Sequence, residues 1–198
     1  MEYNRNDCDK VEKIHKIAEI AEKNGFNEYC QNEQRKIIES GISDYILYFA
    51  YDVKGADVKA LEDALIRTGA SSNYVDFAER VKGANVERLK EEVIKSKDPL
   101  SIYLFAQYVK GISLEELEDA IIETDDAVRI IRFAANVKGA NVDKLRDAII
   151  KTGNSQHIKW FKQEVKIRKP KKQKIKEENT NPTQEEQATD IVDIWENL

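Results

Sequence analysis

The sequence has few of the residues and segments that mark irregular, disulfide-rich or membrane-spanning proteins. Its 198 residues include three prolines, eight glycines and two cysteines. So few chain-breaking residues disfavour long irregular loops. The longest apolar runs, such as residues 46–50, are far shorter than the roughly 20 residues that cross a bilayer, and no signal-like apolar segment follows the N-terminus. The sequence therefore predicts a cytoplasmic protein with no membrane partner.

Residues that build metal or catalytic sites are also scarce. Cys8 and Cys30 share no metal-type spacing with each other or with His15 and His157, so we expect reduced thiols, and packing or surface roles for the histidines. The sequence contains no glycine-rich phosphate loop, no Gly-x-Ser-x-Gly and no His-Glu-x-x-His. We therefore expect no cofactor, no bound metal, no catalytic residue and no enzymatic activity.

What the sequence does contain is a period of 28 residues. The tripeptide Val-Lys-Gly recurs at that interval. The dipeptide Phe-Ala precedes each copy and is separated from it by two residues. The four copies begin at Val53, Val81, Val109 and Val137. A second motif, Ile-Ile-Glu-Ser at 37–40, returns in the same register as two apolar residues, a charged residue and Ser or Thr, up to 149–152. Self-similarity in several columns is the signature of a repeat architecture.

Each repeat unit predicts two short helices. In the first, residues 44–54, apolar side chains recur at i, i+3, i+4 and i+7, which places them on one helical face. This stripe consists of Ile46, Phe49, Ala50 and Val53. The second helix carries the matching stripe Val58, Leu61, Ala64 and Leu65. Gly55 and Gly69 are expected to end the two helices. Because helices of about 11 residues are marginal alone, neighbouring units must share a core.

Capping residues stand before the predicted helices, where a side-chain oxygen can accept a bond from an unpaired backbone N–H. The candidates before the second helices are Asp57, Asn85, Ser113 and Asn141. Those before later first helices are Asp98, Asp126 and Asn154. Ser113 with Glu116 has the spacing of a capping box. So does Asp9 with Glu12, at the start of a degenerate first unit predicted at 9–24 and 27–40.

These patterns predict an all-α fold, specifically a right-handed α-solenoid of about five two-helix repeats with an eroded N-terminal cap and a C-terminal amphipathic helix. The solenoid is predicted for residues 1–166, with regular repeats at 37–166. The Phe-Ala-x-x-Val-Lys-Gly-Ala core resembles short helical repeats in proteins of low-GC bacteria and their phages and, more broadly, HEAT-like and tetratricopeptide-like solenoids. The resemblance implies a binding scaffold and transfers no catalytic residue. One variant that it implies is a phage inhibitor occupying a site on a host protein.

The C-terminal tail differs in composition from the repeats. Residues 166–176 hold seven lysines or arginines and no acid, whereas residues 177–198 hold seven acids and no base. We expect a basic and polar linker at 167–182 and an amphipathic helix at 183–198. The apolar docking residues of this helix are Ile191, Val192, Trp195 and Leu198. Three roles stay open for it: capping the last repeat, docking on its own solenoid, or binding another chain, which includes self-association.

The outward positions of the first helices differ most between repeats, while the core columns hardly vary. In a solenoid such positions form one extended face, and exposed Tyr, Trp and Arg are residue types that anchor interfaces. We therefore predict a face that binds another protein, with packing against neighbouring repeats as the alternative role for some of these side chains. The predicted anchors are Tyr48, Tyr51, Leu104, Tyr108, Arg132 and Trp160.

A column of lysines suggests a second function. Each lysine that follows a first helix can complement the negative end of that helix, worth about 0.3–1 kcal/mol. Alternatively, stacked lysines and the basic tail segment form a site for the phosphates of RNA or DNA. The candidate nucleic-acid-binding residues are Lys54, Lys82, Lys110, Lys138, Lys166, Lys169, Lys171 and Lys172. A protein partner is favoured because acids flank the lysines and the net charge of the chain is −5.

Overall fold

The 28-residue period determines where the helices begin and end. The computed structural model describes residues 5–166, and in that part of the chain it has eleven α-helices and no strand. The helices are α1 (Arg5–Asn24), α2 (Glu28–Ser40), α3 (Ser43–Asp52), α4 (Val58–Thr68), α5 (Ser71–Arg80), α6 (Val86–Ser96), α7 (Pro99–Tyr108), α8 (Glu115–Glu123), α9 (Ala127–Asn136), α10 (Val142–Lys151) and α11 (Ser155–Lys166). The all-α prediction is confirmed. The predicted linker at 167–182 and helix at 183–198 lie outside the described residues.

The odd-numbered helices form a continuous row. Each of α3, α5, α7 and α9 contacts both the even-numbered helix that follows it and the next odd-numbered helix, and α1 contacts α2 and α3 in the same way. The predicted apolar stripes meet in one core, where the repeated phenylalanines Phe49, Phe77, Phe105 and Phe133 are fully buried. No helix among the described residues is long and apolar enough to cross a bilayer.

Most predicted capping residues start their helices as expected. Asp57, Asn85 and Asn141 accept backbone N–H bonds at the starts of α4, α6 and α10. The same bond is made before α7, α9 and α11 by Asp98, Asp126 and Asn154. Helix capping is local chemistry, and a side chain three residues from the N–H suffices to form it. The short motif was therefore enough to place these six helix starts.

Two predicted capping boxes are wrong. Asp9 lies inside α1, because that helix begins one turn earlier, at Arg5. Ser113 does not cap α8, which begins at Glu115 after Leu114, a residue with no side-chain capping bond. In both places the helix start is displaced from the motif, so the Asp9–Glu12 and Ser113–Glu116 pairs cannot form the expected reciprocal bonds.

The displaced start of α8 has a cause one unit upstream. Before α4, α6 and α10, the backbone N–H of the capping residue donates a hydrogen bond to a buried side chain 23 positions earlier in the sequence. The pairs are Asp57 with Gln34 at 2.9 Å, Asn85 with Glu62 at 2.7 Å and Asn141 with Glu118 at 2.7 Å. The corresponding residue before Ser113 is Lys90, which has only donors. Lys90 is buried and pairs instead with Glu87 at 2.6 Å and Glu116 at 2.7 Å. The junction before α8 therefore lacks the acceptor found at the others.

The ends of the even-numbered helices place one residue in the left-handed backbone region. Glycine occupies this position after α2, α4 and α10, as Gly41, Gly69 and Gly153. After α6 the same position holds Lys97 with a φ of 53°. A side chain in this region costs about 1–2 kcal/mol. The end of α6 is therefore strained relative to the ends that have glycine.

We expect Lys97→Gly to raise the free energy of unfolding by about 0.5–1 kcal/mol, since relief of the left-handed strain exceeds the extra backbone entropy of glycine. Urea denaturation followed by circular dichroism measures this change. Gly69→Ala is the matched control, because Gly69 holds the same position with a φ of 73° and open space around its Cα. That variant should shift stability the other way. A destabilised Lys97→Gly protein would contradict the strain at this position.

Candidate protein-binding face

The row of odd-numbered helices leaves one side of each helix uncovered. Burial of residues such as Ile46, Phe49 and Ala50 turns the remaining side of α3 outward, and the same spacing repeats in the later helices. We call the outward side chains of α3, α5, α7, α9 and α11 the odd-helix face. Its positions are those in which the repeats differ, so the face varies along its length while the core beneath it does not.

Four of the six predicted anchors are exposed on this face. Tyr48, Tyr51 and Tyr108 have 38%, 49% and 46% of their surface exposed, and Arg132 is also exposed. Leu104 and Trp160 are partly buried and pack against the core. Their packing matches the alternative role considered for some of these columns. Leu104 and Trp160 thus expose only part of their side chains.

The structure adds two apolar residues that the sequence patterns did not single out. Leu100 on α7 is 41% exposed and Val128 on α9 is 37% exposed. Both stand at the position that Asp44 holds in its repeat. The other repeats have polar residues at this position, so the sequence suggested that it is polar and solvent-exposed throughout. On α7 the residues Leu100, Leu104 and Tyr108 follow one another at intervals of four, which places them along one side of the helix. They form an apolar stripe in the middle of the odd-helix face.

Charge is unevenly distributed along the face. The acids of α3 and α5 are Asp44, Asp52, Asp76 and Glu79, and the one base there is Arg80. Helix α7 has no charged residue. At the outward positions of α9 and α11 the charged residues are Arg132 and Glu164. The face is therefore mainly acidic at α3 and α5, uncharged at α7, and carries one base on α9 and one acid on α11.

Polar contacts hold several outward side chains in place. The guanidinium of Arg80 lies 4.2 Å from the centre of the Tyr51 ring, a cation–π distance. Asn73 donates to Asp44 at 2.7 Å across two neighbouring odd-numbered helices. The Trp160 indole N–H donates to Glu164 at 3.0 Å. Side chains fixed before binding lose less conformational entropy on binding, which favours recognition by a protein.

The lysine column lies at the C-terminal ends of the odd-numbered helices. Lys54, Lys82, Lys110 and Lys138 are exposed, and none of the four makes an ion pair with another described residue. Of the remaining candidates, the side chain of Lys166 and all of Lys169, Lys171 and Lys172 lie outside the described residues. So do the predicted tail docking residues Ile191, Val192, Trp195 and Leu198.

The structure also places Cys30 and His15, two of the residues considered for metal or thiol chemistry. Cys30 is buried and forms no disulfide among the described residues, and His15 is exposed, with its Nε2 3.7 Å from Asp52. Among residues whose side chains are described, no three His, Cys, Asp or Glu side chains are grouped as metal ligands. A groove of about 470 Å³ lies between α8 and α10 and is lined by both lysines and aspartates.

No protein-family model, no curated protein and no solved structure matches the chain. The resemblance to short helical repeats of bacteria and phages therefore stays a prediction. Function has to be inferred from the odd-helix face itself.

Proposed function

We propose that this chain is a non-catalytic binding scaffold that holds another protein on the odd-helix face. The scaffold is a right-handed α-solenoid of about five two-helix repeats. The unbroken series of contacts from α1 to α11 through the odd-numbered helices supports that arrangement. If the resemblance to phage proteins holds, the partner is a host protein whose site the scaffold occupies.

The observation that carries the proposal is the group of exposed aromatic residues on variable positions. Tyr48, Tyr51 and Tyr108 each expose more than a third of their surface on one side of the odd-numbered helices. Tyrosine contributes a large, rigid and amphipathic contact surface at small entropic cost, so it is enriched among residues that dominate binding energy. Large exposed apolar residues concentrated on one face mark an interaction surface more than a solvated one.

We expect Tyr48→Ala/Tyr108→Ala to weaken partner capture at least about tenfold, since two truncated anchors of 1 kcal/mol or more each together exceed that factor. The full-length protein is used as bait in lysate of the source organism, treated with nuclease and washed at high salt. Recovered protein is quantified by mass spectrometry. The control is Lys59→Ala/Arg67→Ala, two exposed residues of α4 on the other side of the repeat. Equal capture by both variants would show that the odd-helix face is not the binding surface.

The exposed lysine column favours nucleic-acid binding as a second candidate function. Four lysines without ion pairs among the described residues are free to meet phosphates. If all four contact duplex DNA, the logarithm of the binding constant should fall with the logarithm of salt with a slope of about −3.6. Lys54→Gln, Lys82→Gln, Lys110→Gln and Lys138→Gln introduced together should then abolish this slope in a fluorescence anisotropy titration. A slope that persists would assign any nucleic-acid binding elsewhere.

A further inference from the structure

Neighbouring odd-numbered helices meet through opposite flanks. The Arg80 guanidinium on α5 lies over the Tyr51 ring of α3. The Asn136 side-chain amide on α9 donates to the Tyr103 hydroxyl of α7 at 3.0 Å. Arg80 and Asn136 are 56 residues apart, two sequence periods, so both contacts use the same flank of the later helix. We call the flank of each odd-numbered helix that faces the next one, where Tyr51 and Tyr103 lie, the forward flank.

The forward flank is apolar or aromatic along most of the row and basic on α11, the last of the described helices. Two of its positions, three residues and so one turn apart, are buried in α3, α5, α7 and α9. Their residues are Leu47, Val75, Tyr103 and Ile131 at the first position and Ala50, Ala78, Ala106 and Ala134 at the second. In α11 the same two positions hold Lys159, which is exposed, and Lys162. The sequence that follows adds seven bases and no acid at residues 166–176.

The end of a row of repeats needs polar side chains to stay solvated, but it does not need charges of one sign. The exposed residues of α1, at the other end of the row, include both acids and bases. Two of them, Glu12 and Lys16, form an ion pair at 2.7 Å. Solvation alone therefore does not account for lysine at both forward positions of α11 in a chain whose net charge is −5.

The chemistry of α11 suits phosphates better than it suits a protein surface. Its exposed side chains within residues 155–165 are all polar: Ser155, Gln156, Lys159, Gln163 and Glu164. Protein interfaces are depleted in lysine and take most of their binding energy from Trp, Tyr and Arg. Lysine instead binds phosphate as a point charge on a flexible stem. Lys159 and Lys162 are about 4.5 Å apart along the helix axis, comparable with the roughly 3.4 Å of duplex axis per phosphate on one strand.

We propose that nucleic acid binds at the forward flank of α11, where Lys159 and Lys162 contact phosphates of its backbone. This inference goes beyond the proposed function, because the odd-helix face is a different side of the same helices. The site also differs from the exposed lysine column, whose members lie at the C-terminal ends of the odd-numbered helices. Backbone contacts carry no sequence information, so binding should be independent of base sequence. The net negative charge of the chain repels phosphates elsewhere and favours their approach to this end of the row.

The salt dependence of binding by the full-length protein tests this contact. Fluorescence anisotropy follows binding to a labelled DNA duplex of about 20 base pairs between about 50 and 200 mM salt. In Lys159→Gln/Lys162→Gln the slope of the logarithm of the binding constant against the logarithm of salt should become shallower by about 1.8, because each phosphate contact contributes about 0.9. With single-stranded RNA of the same length the change should be about 1.4. The two affinities show which nucleic acid is preferred.

Glutamine separates charge from solvation, since it removes the positive charge and keeps the end of the row polar. The variant should therefore unfold at the same urea concentration as the unmodified protein. Lys59→Gln/Arg67→Gln is the matched control, because it removes two exposed bases from α4. This control should leave the slope unchanged.

Three results would overturn the proposal. The first is an unchanged slope in Lys159→Gln/Lys162→Gln, and the second is no binding of either nucleic acid at about 50 mM salt. The third is tighter binding of polyglutamate than of either nucleic acid, which would assign the flank to an acidic protein. Protein capture through Tyr48 and Tyr108 is measured on another face, so it supports or contradicts the proposed function independently.

Discussion

Phe105→Ala should lower the free energy of unfolding by about 3–5 kcal/mol, the usual cost of removing a fully buried phenylalanine side chain. Phe105 is 0% exposed and lies on α7, in the middle of the row of odd-numbered helices. Its loss opens a cavity where α7 packs against its neighbours on both sides. Stability in stacked repeats is a sum of unit and neighbour terms, so a defect at the centre weakens two junctions at once.

Urea denaturation monitored by helical circular dichroism measures this loss. The matched control is Tyr108→Ala on the same helix, because Tyr108 is 46% exposed and its removal opens no cavity. The control should change stability by less than about 1 kcal/mol. The comparison also shows whether the tyrosine variant used for partner capture keeps its fold. A loss below about 1 kcal/mol for Phe105→Ala would mean that this phenylalanine column does not form the core.

The sequence was sufficient for features that depend on residues close to one another in the chain. The repeated phenylalanines predicted the core because apolar residues that recur at helical spacing lie on the buried face of an amphipathic helix. Asp57 and Asp98 predicted helix starts because a capping bond spans only three residues. The missed start of α8 depends on Lys90, 23 residues before Ser113, and no local motif contains that information.

The exposed side of the odd-numbered helices was predictable in position but not in detail. The positions that vary between repeats lie on the exposed side of the helices, where Tyr48 and Tyr108 are found. Leu104 and Trp160 share a column with Tyr48 yet pack partly against the core, because exposure depends on the side chains of the neighbouring repeats.

Glu62→Ala should lower the free energy of unfolding by about 1.5–3 kcal/mol, the value of a hydrogen bond to a buried charged group. The Glu62 carboxylate is buried, accepts the Asn85 backbone N–H at 2.7 Å, and lies 3.3 Å from Arg88. Alanine leaves the Asn85 N–H without its acceptor at the start of α6. Hydrogen exchange of the Asn85 amide should therefore accelerate together with the loss of stability measured in urea.

The chain itself supplies the control for this junction. Gln34 makes the equivalent bond to Asp57 with an uncharged amide oxygen at 2.9 Å, so Glu62→Gln should keep most of the protection from hydrogen exchange that Glu62→Ala loses.

Before α8 the acceptor is missing in the natural sequence, because Lys90 has only donors. Lys90→Gln supplies one, and should slow exchange of the Ser113 amide. Since Glu87 and Glu116 are largely exposed, the loss of their lysine costs little. The proposed role of these buried side chains in joining successive helix pairs would be contradicted by either of two results. One is an unchanged hydrogen-exchange rate of the Asn85 amide in Glu62→Ala, and the other is an unchanged rate of the Ser113 amide in Lys90→Gln.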